Sequence, residues 1–124
     1  MGGPPGRGPS YRYARSSRLL KPNDFRTVFK RNVRSHDRYF TVLAHRTDNP
    51  ARLGSAVARK ACGSAVGRNR LKRVIRESFR HALGALPGVD IVVIVKPGAG
   101  KIANPPLRES LEKHWQVITN KCVR

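Results

Sequence analysis

Residues 59–80 read RKACGSAVGRNRLKRVIRESFR, and this stretch writes an apolar face and a basic face onto one helix. Counting round an α-helix at about 100° per residue, Leu71, Val74, Ile75, Ser78, Phe79, Ala82 and Leu83 fall in one broad sector. Asn69, Arg73, Arg76 and Arg80 fall opposite, with Lys72 at the rim. The apolar sector needs a core to bury it, so the helix belongs to a packed domain. The cationic face has only Glu77 within the helix to neutralise it, and eight cations stand against one acid between Arg59 and Arg80. A start near Val66 or Gly67 puts Arg68, Asn69 and Arg70 in the first turn, where unpaired backbone N–H groups and the helix dipole already favour an anion. Arginine suits the task, because its planar fork bridges two phosphate oxygens or stacks on a base. The stretch reads as a phosphate-binding helix with RNA or DNA as its partner.

Downstream, Gly84, Pro87 and Gly88 end the helix. DIVVIVK (90–96) follows, a β-branched run too short and bulky for an isolated helix, which predicts a strand buried on both faces and ending at Pro97. Asn104 can cap a last helix with Pro105 at its first position, and Leu107, Leu111, Trp115 and Ile118 mark its buried face. Upstream, Phe25, Val28 and Phe29 recur at i, i+3 and i+4 behind Pro22 and Asp24, which predicts a short helix. From about Val33 to Ala58 the period changes. Phe40, Val42 and Ala44 alternate with Tyr39, Thr41 and Leu43, TDNPAR makes a turn, and a strand resumes at Leu53, which reads as a meander. The fold class is α+β, an open α/β sandwich. Residues 1–17, rich in Gly, Pro, Ser and Arg, are expected to be a flexible basic arm, and residues 18–124 a single RNA-binding α/β domain.

Composition narrows the function. In 124 residues, 26 Lys and Arg against 7 Asp and Glu give a formal charge of +19 and a pI near 11.6, which calls for a polyanionic partner. No run approaches the roughly 20 apolar residues of a spanning helix, and the N-terminus lacks the apolar segment of a secretory signal. The expected compartment is the cytoplasm, with no membrane partner and no small-molecule substrate. Cys62 and Cys122 suit a reducing compartment and have no zinc-like spacing. Metal-dependent phosphodiester cleavage needs clustered carboxylates, whereas Asp24, Asp37, Asp48, Glu77, Asp90, Glu109 and Glu112 are scattered singly. The scattered carboxylates offer no metal site, and no catalytic residue or cofactor is assigned to the protein. GSAVGRNR is not a Walker loop, since Arg68 and Asn69 stand where a Lys and a hydroxyl belong. Two rival readings remain: a ribosomal or general RNA-binding protein with no role in cleavage, and a self-sufficient ribonuclease using His36 or His45 as acid and base.

At GSAVGRNRLKRVIRESFR the chain resembles the RNR signature of the bacterial ribonuclease P protein subunit. The resemblance extends through RLLKPNDFRTVFKR, RYFTV, ARLGSAVARK and DIVVIVKPGA, in the family's order, over about residues 18–120. It implies an α/β sandwich of order αβββαβα around a central mixed sheet, with a left-handed crossover from the third strand through the second helix to the fourth, against the usual hand. It implies that a catalytic RNA carries the metal ions, Mg2+ among them, and removes the 5′ leader of precursor tRNA while the protein assists. Matched residue by residue, Lys60, Arg68, Asn69, Arg70, Lys72, Arg73, Arg76 and the helix's Arg80 are implied to face the catalytic RNA. Phe25, Phe29, Arg38, Tyr39 and Phe40 are implied to line a cleft for the single-stranded leader, where stacking tolerates any sequence. Helical spacing also predicts that at least one of Phe25 and Phe29 is mostly buried. Two positions depart from the family's pattern: KACG is one residue longer, and Leu43 stands where some relatives carry an aromatic residue.

Overall fold

The computed structural model describes residues 21–122, without the side chains of residues 59 and 60. The expected arm over residues 1–17 lies outside the described residues. Along the chain come α1 (Pro22–Lys30), β1 (Val33–His36), β2 (Phe40–Arg46), β3 (Arg52–Ala56), α2 (Arg59–Cys62), α3 (Ala65–Ala82), β4 (Val89–Val95), a 3-10 turn (Ala99–Lys101) and α4 (Asn104–Cys122). With the single turn of α2 counted together with α3, the order is αβββαβα.

The strands form one mixed sheet in the order β1-β2-β4-β3. β4 runs antiparallel to β2 and parallel to β3, so the chain crosses over between β3 and β4 through α2 and α3. The expected meander holds only for β1 and β2, because β4 inserts between β2 and β3. The cause is composition: VDIVVIV has a single polar residue, Asp90, and all of its residues but Ile94 are buried. Such a strand needs cover on both faces and neighbours on both edges, so it takes the centre and displaces β3 to the rim.

Period two divides the sheet into two faces. Phe40, Val42 and Ala44 of β2, with Ile91, Val93 and Val95 of β4, meet Leu71, Val74, Ile75 and Phe79 of α3 and Leu107, Leu111, Trp115 and Ile118 of α4 in the main core. The helical sector expected from residues 71–83 is thus the buried one, and Ser78 within it accepts a 2.8 Å hydrogen bond from the indole Nε1 of Trp115. On the opposite face Val28 and Phe25 of α1 pack on Leu43, Val92 and Ile94 in a smaller cluster. No helix among the described residues is long and apolar enough to cross a membrane.

Candidate nucleic-acid interface

α3 is set in place by its first turn. Gly63 takes φ +77°, a left-handed conformation that costs glycine little and lets the chain reverse out of α2. The Ser64 hydroxyl then accepts the Gly67 N–H at 3.0 Å as an N-cap. Gly67 itself is pressed so close that a Cβ there would lie 2.7 Å from the Cys62 carbonyl oxygen. The cations implied by the sequence divide into two groups. Arg68, Asn69, Arg73 and Arg76 are exposed, and Lys72 is half-buried. Arg73, Arg76, Glu77 and Arg80 line a shallow pocket of about 230 Å³, and the Nε of Arg80 is buried without a hydrogen-bond partner. Arg68 remains exposed although its Nε donates to the Val57 carbonyl at 2.9 Å.

Arg70 behaves differently from the expectation of an RNA-facing residue. Its two terminal nitrogens donate to Asn104 Oδ1 at 2.6 Å and to the Gly100 carbonyl at 2.8 Å, so its guanidinium ties α3 to the 3-10 turn and the start of α4. The side chain of Lys60 lies outside the described residues.

The second surface is the face of the sheet that α1 leaves partly open. Arg52 grips buried Asp90 through Nε–Oδ1 and a terminal nitrogen–Oδ2 contact at 2.9 and 2.8 Å, and reaches Asp24 of α1 at 3.5 Å. The guanidinium is held charged chiefly by the Asp90 hydrogen bond, which outweighs its own burial. This cluster pins the start of α1 over one end of the strands. At the other end, registers His36↔Thr41, Thr41↔Ile94 and Ala56↔Ile94 set those four residues in one row across all four strands. Above this floor Phe25 is the more buried aromatic, and Phe29 is 51% exposed.

Phe40 does not line this cleft, contrary to the expectation: it is fully buried on the opposite face, edge-on to His114. Its neighbours in the alternation, Thr41 and Leu43, face the cleft instead. The parity was legible in the sequence, because the apolar series Phe40, Val42, Ala44 marks the core side. Arg38 is exposed and stands over the Tyr39 ring at 6.0 Å, at the turn between β1 and β2 that borders the floor. Tyr39 is half-buried against the rim of the main core.

That turn is fixed by Asp37. Its Oδ1 accepts the backbone N–H groups of Tyr39 and Phe40 at 2.8 and 2.9 Å, and its Oδ2 accepts the Ser110 hydroxyl and lies 3.2 Å from His114 Nε2. Burial pushes the carboxyl up, but the Ser110 and backbone hydrogen bonds and the nearby imidazole outweigh it and lower it to about 2. His114 is almost fully buried, with Nδ1 2.6 Å from Ser35 Oγ, and desolvation lowers its pKa against the pull of Asp37. This histidine packs and positions. His36 and His45 share the cleft face but stand about four residues apart along the sheet, roughly 13 Å at ~3.4 Å per residue, too far to serve one phosphate as acid and base.

Among the described residues no three or more His, Cys, Asp or Glu side chains gather where they could hold a metal ion. A groove of about 550 Å³ between the end of α3 and α4 is lined, among the described residues, by Ala82, Leu86, Glu112, Trp115 and Thr119 among others, with an acid and no cation, and so does not suit a polyanion.

A sequence model of the family described as Ribonuclease P matches residues 13–119. The chain is 44% identical over 120 residues to the ribonuclease P protein component of Methylococcus capsulatus, covering 95% of this chain and 91% of that protein. Its fold is similar to that of the Staphylococcus aureus RNase P protein, with a TM-score of 0.77 and 30% identity over 83% of this chain and 97% of that one. It is also similar to the Thermotoga maritima RNase P protein, with a TM-score of 0.73 and 36% identity over 82% and 96% of the two chains.

Proposed function

The chain belongs to the ribonuclease P protein family, the RNA-binding component of a tRNA-processing endoribonuclease that works with an RNA partner, and on that premise we propose that it holds two RNAs at once. The exposed cations of α3 receive the catalytic RNA, and the floor between α1 and the sheet receives the 5′ leader of precursor tRNA. The protein carries no catalytic group. The RNA, with its Mg2+, cleaves the leader to leave the mature 5′ end, in the cytoplasm.

One observation carries the reading: a row of exposed guanidinium groups, Arg68, Arg73 and Arg76, begins where the open floor ends. The floor row stops at Ala56, and the next residue, Val57, holds the Nε of Arg68 through its carbonyl. A leader crossing the floor would therefore meet the RNA bound to α3 at that corner. The physical contribution is twofold. Cations lower the repulsion between two polyanions, and each neutralised phosphate adds about −0.7 to −0.9 to the slope of log affinity against log salt. The aromatic wall adds stacking that mature tRNA, lacking a leader, cannot use.

The test is cleavage of 5′-labelled precursor tRNA at low magnesium by the protein, by a bacterial ribonuclease P RNA, and by the two together. Correct cleavage that needs the mixture supports the proposal. Cleavage by repurified protein alone would overturn it, and absence of stimulation by folded protein would favour a general RNA binder.

A further inference from the structure

The turn between β1 and β2 is held more firmly than a hairpin needs. Its backbone is already closed by the Asp37 N–H donating to the Phe40 carbonyl at 2.9 Å and by the Lys96 N–H donating to the Tyr39 carbonyl at 2.9 Å. Two further sets of contacts reach it from α4. Ser110 and His114 hold Oδ2 of Asp37, whose Oδ1 takes the Tyr39 and Phe40 N–H groups, and Ser35 Oγ, 2.6 Å from His114 Nδ1, fixes the imidazole in turn. Rings make the second path: His114 meets Phe40 edge-on at 6.3 Å, Phe40 meets Tyr39 at 6.4 Å, and the Arg38 guanidinium stands 6.0 Å from the Tyr39 ring centre. Both paths end on Arg38, the one exposed residue of the four from Asp37 to Phe40. Because α1 covers the Arg52 end of the floor, this turn, just past the pair His36↔Thr41, forms the wall that faces α1.

We propose that Asp37 is a positioning residue for the leader: gripped by α4, it holds the Arg38 guanidinium where a leader phosphate passes. The proposal rests on the cleft being the leader's path. With bases stacked on Phe29 of α1, the backbone of a strand crossing the floor is turned toward the opposite wall, where Arg38 stands. Asp37 does not compete for that cation, since both of its oxygens are engaged. The carboxylate lies on the main-core side with His114 and Ser110, so it acts on the leader only through the turn. An arginine ordered on binding loses side-chain freedom, and one already seated on Tyr39 over a fixed turn loses less. Its fork then makes a charge-assisted contact with phosphate.

The experiment measures equilibrium binding of precursor and mature tRNA over a fourfold range of salt, by holoenzyme reconstituted with a bacterial ribonuclease P RNA, with urea unfolding of each protein variant. Arg38→Ala should lower the salt slope of precursor binding by about 0.7, which is about 2.5-fold in affinity over that range, and leave mature tRNA binding as it was. Asp37→Ala should lose the same increment although Arg38 is present, and the two substitutions together should lose no more than either alone. Asp37→Asn should retain the increment: it removes the same charge, but its side-chain oxygen still accepts the Tyr39 and Phe40 N–H groups. Ser110→Ala, which frees one side of the carboxylate and keeps the turn's own bonds, should lose part of it. Additive losses in the double variant, equal losses for both tRNAs, or a full slope in Asp37→Ala would overturn the proposal, and a full slope in Ser110→Ala would do so if Asp37→Ala does not fold. Phe29→Ala tests the reading beneath: if it weakens precursor binding and Arg38→Ala does not, this proposal alone fails, and if neither variant affects precursor binding the leader cleft itself is wrong.

Discussion

Replacing Phe29 by Ala separates the leader cleft from the core beneath it. A phenylalanine has roughly 200 Å² of side-chain surface, and Phe29 is 51% exposed, so about 100 Å² remains for a base to cover. At ~25 cal/mol per Å² complete cover is worth about 2.5 kcal/mol, and cover of one ring face about half of that. This agrees with the roughly 1–3 kcal/mol found when stacking residues are truncated. Phe29→Ala should therefore weaken holoenzyme binding of precursor tRNA by about 8- to 60-fold, leave mature tRNA binding unchanged, and alter folding stability by no more than ~0.5 kcal/mol. Phe25 gives the contrast, because its ring packs against Val28, Leu43, Val92 and Ile94, and Phe25→Ala should cost about 1.5–3 kcal/mol of stability as well. The assay is equilibrium binding of end-labelled precursor and mature tRNA in parallel, with urea unfolding of each variant. Equal weakening of both tRNAs by Phe29→Ala, or no weakening of the precursor, would refute the assignment of this ring to the leader.

Arg70→Ala should destabilise the fold by about 1–3 kcal/mol, since it leaves Asn104 and the Gly100 carbonyl without their donor, whereas Arg73→Ala should leave urea unfolding nearly unchanged and reduce the salt slope of catalytic-RNA binding by about 0.7–0.9. Gly67→Ala should cost about 1–3 kcal/mol despite alanine's helix preference, because the new Cβ meets backbone and not a yielding side chain, and it should weaken catalytic-RNA binding by moving the first turn of α3. Acid should lower the folding stability in two stages. His114, lowered by burial from 6.5, contributes stability that is complete above that value and falls as the ring is forced to charge below it; Asp37, lowered from 3.8 to about 2, contributes stability complete above 3.8 and lost as pH falls toward 2. His114→Gln should abolish the first stage in urea titrations across pH and leave the second.

The elements legible in the sequence are those whose pattern is self-sufficient. α3 carries its own cap, apolar sector and stop, and β4 has a run that only a doubly covered strand tolerates, so each lies within a residue or two of its expected bounds. β1 was poorly marked because VRSH is an edge strand with one apolar residue. Strand order was only half legible: the apolar run of β4 demands a central place, but which strands flank it depends on contacts far apart in the chain. Arg70 looked like its neighbours because a helical wheel cannot show that the 3-10 turn Ala99–Lys101 comes up against that side of α3. The family resemblance matches Phe40 by its strand and not by its face, whereas the alternation of β2 points it inward.

The distribution of the few acids explains how so basic a chain keeps a defined cleft. Of seven Asp and Glu residues, Asp24 and Asp90 hold Arg52 where α1 is anchored, and Asp37 closes the turn at the other end of the same face. Neutralisation is therefore concentrated at the two supports of the cleft, while α3 has Glu77 as its one acid. Contacts of the first kind are partly buried, short and hydrogen-bonded, so salt screens them little; contacts of the second kind are exposed and depend on counterion release. Rising salt should thus remove affinity from both RNA surfaces before it alters the shape of the cleft. The ratio of precursor to mature tRNA binding, set largely by stacking on the aromatic wall, should then decline far less steeply with salt than either affinity does.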